Sequence, residues 1–175
     1  MKTRSVDFST IDARDALDLA VLVEEEAQDR YVEFADQMLL HHNLEAERFF
    51  RFMAVNEGKH HQKLAAQRVA RFGDSTPRVQ RDMLFDIEAP EYDEVRMFTT
   101  PRQALETALR AEVKAHQFFV DALAQVKDPE ARVLFEELRD EELEHQRLVE
   151  QHMARLPLDS AVGTAEDYAD DSVSQ

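Results

Sequence analysis

Four glutamates stand where a helix-forming chain should place hydrophobic residues. Glu24 lies seven residues from both Leu17 and Tyr31 and three from Val21. Glu57 is seven from Phe50 and Leu64, and Glu112 is seven from Leu105 and Phe119. Glu142 follows Phe135 and Leu138 and precedes Val149. Residues seven apart return to the same side of a helix, so all four carboxylates are expected on inward apolar stripes, with Glu25 and Glu26 rotated away. An unpartnered carboxylate in a core is strongly disfavoured, so a fold that buries these residues must bring compensating charge to them.

Two of the four open the same motif. Glu57-Gly-Lys-His60 and Glu142-Leu-Glu-His145 each place an imidazole three residues after the carboxylate. On a helix that spacing turns both side chains to one face, where they offer an oxygen and a nitrogen donor to a common point. The other two glutamates start a second shared pattern: Glu24 is followed by Ala27, Tyr31 and Val32, and Glu112 by Ala115, Phe119 and Val120 at identical offsets. Phe50 and Met53 precede the first motif as Phe135 and Leu138 precede the second. The chain therefore reads as one unit used twice, a helix carrying Glu followed by a helix carrying Glu-x-x-His.

Composition sets the class. The 175 residues suffice for one domain with a full core. With three glycines, five prolines and abundant Ala, Leu, Glu and Arg, an all-α fold is expected. The absence of cysteine excludes disulfides, thiolate metal sites and thiol catalysis. A formal charge of −16 disfavours nucleic acid and anionic membranes as partners and attracts cations. No stretch approaches the roughly 18 to 20 apolar residues of a membrane span, and residues 1–7 hold no signal-like apolar run, so a cytoplasmic location is expected. Residues 157–175, with Asp159, Glu166, Asp167, Asp170 and Asp171 among small residues, read as a disordered acidic tail after a domain over residues 1–156.

Capping signals divide the domain into four helices. The first is expected from a cap at Ser9 or Thr10, with Asp12 close behind, to about Leu40, with a turn at His41, His42 and Asn43. The second runs from Leu44 to Phe72 and stops at Gly73. Residues 74–99, containing Pro77 and Pro90, form a long connection with a short helix expected near Val79 to Phe85. Thr100-Pro101-Arg102-Gln103 is a helix start with a capping box, and that third helix is expected to reach Val126. Asp128-Pro129 starts the fourth, ending near Arg155. Short links flanking one long connection describe a ferritin-like four-helix bundle with a crossover between helices 2 and 3.

The donor set then suggests its occupant. No lysine or arginine is evident on the faces that carry Glu24, Glu57, Glu112 and Glu142, and two divalent cations balance four negative charges. Four carboxylates with His60 and His145 suit iron or manganese, with zinc chemically possible. Glu57 and Glu142 could bridge metals roughly 3.5 to 4 Å apart. A single Glu-x-x-His is most often a surface ion pair; two copies, each preceded by an inward glutamate, are not. Tyr31 reads either as core filling or as a hydrogen donor near the site. His116 reads either as an additional contact to the site or as a surface residue, His152 as structural, and His41, His42 and His61 as surface residues. The pairs Phe49-Phe50 and Phe118-Phe119 read as core.

These residues together resemble the rubrerythrin branch of the ferritin-like superfamily. The resemblance is carried by Glu24-Glu-Glu-Ala-Gln-Asp-Arg-Tyr31, Glu57-Gly-Lys-His60, Ala111-Glu112 and Glu142-Leu-Glu-His145, over about residues 10–155. It implies a non-haem diiron centre held by Glu24, Glu57, His60, Glu112, Glu142 and His145, with Glu57 and Glu142 as bridges. It further implies an oxidoreductase acting on hydrogen peroxide, dioxygen or ferrous iron, with Tyr31 as a donor in the reaction. Rubrerythrins proper usually append a cysteine-ligated rubredoxin domain, which this chain lacks, so a separate electron-donor protein or ferrous iron must act as reductant. They also carry a further glutamate one turn after the third-helix ligand, where this chain has Ala115. A homodimer or larger homo-oligomer is expected. The alternative is a ferritin-like protein that oxidises iron for storage, distinguishable by particle mass; a metal-free helical module is disfavoured by the intact six-residue set.

Overall fold

A computed structural model describes residues 6–81 and 100–156. It contains four long helices: α1 (Ala13–Leu40), α2 (Leu44–Phe72), α3 (Pro101–Leu123) and α4 (Pro129–Met153). Among the described residues there is no strand. The expected tail at 157–175 and most of the short helix expected at Val79–Phe85 lie outside the described residues.

Each helix starts on a side chain that accepts from exposed backbone N–H groups, which have no intrahelical partner. Asn43 caps α2, Thr100 and Gln103 form the capping box of α3, and Asp128 caps α4 ahead of Pro129. The cap of α1 is Asp12, not Ser9 or Thr10. Its carboxylate accepts from the N–H groups of Arg14 and Asp15 at 2.9 and 3.0 Å, and Asp15 accepts from the N–H of Asp12. Ser9 and Thr10 are committed elsewhere: the Ser9 hydroxyl donates to the Asp7 carboxylate and the Thr10 hydroxyl to the Asp7 carbonyl. At the other ends, α3 stops at Leu123 instead of Val126, because the Ala122 carbonyl accepts from both Gln125 and Val126 in a tightening turn. The last helix stops at Met153, two residues before Arg155.

Only three residues join α1 to α2. His42 adopts φ +56°, and the Asn43 N–H donates to the Met38 carbonyl at 2.8 Å, which reverses the chain sharply. The result is two helical hairpins: α1 packs along α2, α3 packs along α4, and α1 also meets α4. The crossover after α2 begins at Gly73, whose φ of +64° favours a residue without a Cβ.

Two apolar clusters fill the bundle. One contains Leu17, Leu19, Val23, Leu64, Phe119, Leu123, Phe135 and Leu138. The other contains Tyr31, Phe34, Met38, Phe50, Met53, Leu105 and Val149. Phe50 and Phe119 are core as expected, whereas Phe49 and Phe118 are half-buried partners at the cluster margins. No described helix is long and apolar enough to cross a membrane.

Two arginines are buried among the described residues, Arg30 and Arg68. Arg68 is a clamp. Its Nε donates to Asp18 at 2.7 Å, and its remaining nitrogens donate to the carbonyls of Gly73 and Ser75. The second Asp18 oxygen accepts from the Arg78 N–H at 2.8 Å, so one buried carboxylate fastens the start of the crossover to α1. Breaking a buried pair from one side leaves an uncompensated charge. Arg68→Met is expected to lower unfolding free energy by about 3–5 kcal/mol, and Asp18→Asn/Arg68→Met to recover part of it, in urea denaturation. Gly73→Ala is expected to cost about 1 kcal/mol by the same measurement, because alanine must adopt a left-handed φ.

Candidate metal centre

Between the two apolar clusters lies a polar layer made from all four helices. Glu24 on α1, Glu57 on α2, Glu112 on α3, and Glu142 and His145 on α4 are buried, with His60 of α2 at the margin. The heptad positions that put leucine and phenylalanine into the core put these donors at the same depth, so their burial follows from helical phase.

The two imidazole rings are stacked, with centroids 5.5 Å apart and planes 12° apart. Each turns Nδ1 toward carboxylate oxygens. His145 Nδ1 faces Glu57 Oε1 at 3.1 Å, Glu112 Oε2 at 3.6 Å and Glu142 Oε2 at 4.0 Å. His60 Nδ1 faces Glu24 Oε2 at 3.7 Å, Glu57 Oε2 at 3.9 Å and Glu141 Oε2 at 3.9 Å. Both Nδ1 atoms are buried, and neither makes a hydrogen bond. Buried polar atoms are normally hydrogen-bonded, so two such nitrogens facing one group of carboxylates suit donors that share a cation.

The donors fall into three overlapping groups, each spanning less than 4.8 Å: Glu57, His60 and His145; Glu24, His60 and Glu141; Glu112, Glu142 and His145. Glu57 stands between the halves, with one oxygen toward each imidazole. Glu142 groups with Glu112 and His145 on one side. An all-oxygen-and-imidazole donor set with a carboxylate between two imidazoles fits a pair of iron or manganese ions.

Electrostatics of the layer are those of crowded acids. Burial pushes the Glu24 pKa up to about 7, against the partly opposing effects of a hydrogen bond with Glu57 and the charge of His145. Burial acts on Glu112 in the same sense, but the facing His145, with Glu142 and the Tyr31 hydroxyl, outweighs it and holds Glu112 below the usual carboxylate range. Burial lowers the His60 pKa, which keeps that imidazole neutral as a metal donor must be. For His145 burial pulls the same way, and the facing Glu112, with Glu24 and Glu141, reverses it to a raised value.

Tyr31 both fills the core and reaches the polar layer. Its ring is buried, stacks on Phe50 and meets Phe34 edge-on, while its hydroxyl donates to Glu112 Oε1. Burial and the charges of Glu112 and Glu57 raise its pKa well above that of a free phenol, so the proton stays on the oxygen. Nearby, the Gln146 side chain donates to the Glu112 carbonyl at 3.2 Å, and Gln28 occupies the space beside Gly58 that a Cβ would crowd.

His116 is half-buried on α3 and joins none of the three groups. His152 stacks on Phe49 at 4.2 Å, a structural contact. His41 and His42 are exposed, and His61 is half-buried. The buried arginines act elsewhere: Arg68 holds Asp18, and the charge of Arg30 reaches Glu26 and Tyr31. The residue that sequence reasoning missed is Glu141. It stands one position before the second motif, and only the acidic doublet Glu141-Glu142 marked it, in a chain with 37 acidic residues.

Comparison with known proteins agrees with this architecture. The rubrerythrin family model matches residues 15–153. Among solved structures, the crystal structure of an uncharacterized conserved protein from Magnetospirillum magnetotacticum MS-1 is similar, with 27% identity and a TM-score of 0.71. The alignment covers 85% of this chain and 98% of that one. No curated protein matches. With the four-helix bundle and its central carboxylate–imidazole layer, the family match over residues 15–153 establishes that this chain belongs to the rubrerythrin family of diiron ferritin-like proteins.

Proposed function

We propose that Glu24, Glu57, His60, Glu112, Glu142 and His145 hold two iron ions, and that the protein is an oxidoreductase that reduces hydrogen peroxide or dioxygen there. The observation that carries this reading is the pair of buried, non-hydrogen-bonded Nδ1 atoms of His60 and His145 with Glu57 between them. When bound, two ferrous ions supply one electron each, which together with two protons reduces one hydrogen peroxide to two waters. Manganese suits the same donors.

The chain's own residues provide the rest. The two apolar clusters on either side of the polar layer limit water and fix the carboxylates. Tyr31 keeps its proton and donates a hydrogen bond to Glu112, which orients that carboxylate and places an O–H donor beside the reacting centre. Glu24 must release its proton for a cation to bind, so loading couples to pH. These 175 residues hold no cysteine for an iron–sulfur relay, and a separate donor protein or ferrous iron suits the supply of electrons that restore the ferrous state.

Metal analysis after anaerobic loading is expected to give two iron ions per chain. Because Glu57 faces both imidazoles, Glu57→Ala is expected to lose both ions, whereas Glu142→Ala loses chiefly the ion beside His145. Ferrous protein is expected to consume peroxide over multiple turnovers with a reductant; consumption no faster than that of free iron would exclude a peroxidase. Tyr31→Phe preserves the packed ring and should retain both ions while slowing peroxide turnover by roughly 100-fold; unchanged turnover would leave Tyr31 as core filling alone.

The metal-free protein should also report on Glu24. A pKa raised from 4.5 to about 7 means that its contribution to stability is fully present below about 4.5 and lost as pH rises through about 7. Relative to Glu24→Gln, the metal-free wild type is therefore expected to lose on the order of 5 °C in Tm between pH 5 and pH 8. A Tm difference independent of pH would show that Glu24 ionises normally.

A further inference from the structure

We propose that Glu141 is a seventh donor of the centre, and that the position it shares with Glu24 and His60 is the port through which divalent cations enter and leave. This rests on the two-metal reading above.

The geometry is direct. Glu141 Oε2 lies 3.9 Å from His60 Nδ1, a buried nitrogen without a hydrogen bond, and one oxygen each of Glu24 and Glu141 groups with that imidazole within 4.8 Å. The other Glu141 oxygen lies 3.9 Å from Lys63 Nζ, on the outer side. Glu141 thus spans from the interior donors to solvent.

Exposure divides the centre into two unlike halves. The side chains of Glu112, Glu142 and His145 are 4%, 7% and 6% exposed. Those of His60 and Glu141 are 27% and 31% exposed. A cation arriving from water meets the His60 side first, and the His145 side lies behind it.

The repeat shows that this difference is built in. Asn56 precedes the first Glu-x-x-His where Glu141 precedes the second, and Phe119 stands in α3 where Tyr31 stands in α1. The closed half therefore has the tyrosine hydroxyl on Glu112, and the open half has an additional carboxylate with no counterpart across the pseudo-twofold. Charge is consistent with a movable role. Four buried carboxylates already balance two divalent cations, so a fifth is tolerated because it is half-exposed and faces Lys63. An exposed pair of that kind contributes little, so Lys63 does not hold Glu141 away from an incoming cation.

The test is titration of the metal-free full-length protein with Mn2+ and with Co2+, together with the rate of release of each ion to a chelator. Wild type is expected to bind two ions with unequal release rates. Glu141→Gln should weaken the faster-releasing ion by 10- to 100-fold and leave the other within twofold. Glu144→Gln removes a like charge three residues away, from a side chain 58% exposed beside Arg147, and should match wild type. Equal urea midpoints of the metal-free proteins confirm that folding is unchanged. Should wild type bind two ions and Glu141→Gln behave as Glu144→Gln does, the port is refuted while the two-metal reading stands. Wild type that binds no pair of ions refutes both.

Discussion

The structure depends on a layer of carboxylates held inside a hydrophobic bundle. Burying an acid is costly, and this chain buries Glu24, Glu57, Glu112 and Glu142 in one layer, with apolar side chains on both flanks. Without a cation the layer resolves its charge internally: Glu24 rises to a pKa of about 7, Glu24 and Glu57 share a hydrogen bond, and Tyr31 donates to Glu112. On the proposed reading, the residues whose burial is costly without metal are the ones that would bind it, a coupling of folding and binding common to buried metal sites.

The internal repeat explains how such a site arises from a simple plan. Two hairpins, each bringing one Glu helix and one Glu-x-x-His helix, place equivalent donors on either side of Glu57. The two halves, however, depart from that equivalence. Tyr31 gives one half a hydrogen donor where Phe119 gives the other none, and Glu141 gives one half a solvent-facing carboxylate where the repeat has Asn56. One half is closed and the other opens to water.

Much of the architecture was legible beforehand because it follows from periodicity and caps. The phase of Glu24 relative to Leu17 and Tyr31 was enough to place it inside, and Thr100-Pro101 was enough to start α3. The start of α1 was misread because Ser9, Thr10 and Asp12 are all competent caps, and only the turn at Asp7 consumes the first two. Buried Arg68 was hidden for a similar reason: its partner Asp18 is 50 residues away. Glu141 escaped notice because an acidic residue beside a motif is ordinary in so acidic a chain.

By itself the sequence determined the helices, their inward faces and the rubrerythrin membership, since these depend on spacing within single segments. Tertiary structure alone decided which donors meet. That Glu57 lies between both imidazoles, that Tyr31 reaches Glu112 across the bundle and that Glu141 joins Glu24 and His60 are contacts between residues distant in the chain. They depend on how far each helix is rotated and advanced against its neighbours, quantities that no local pattern encodes.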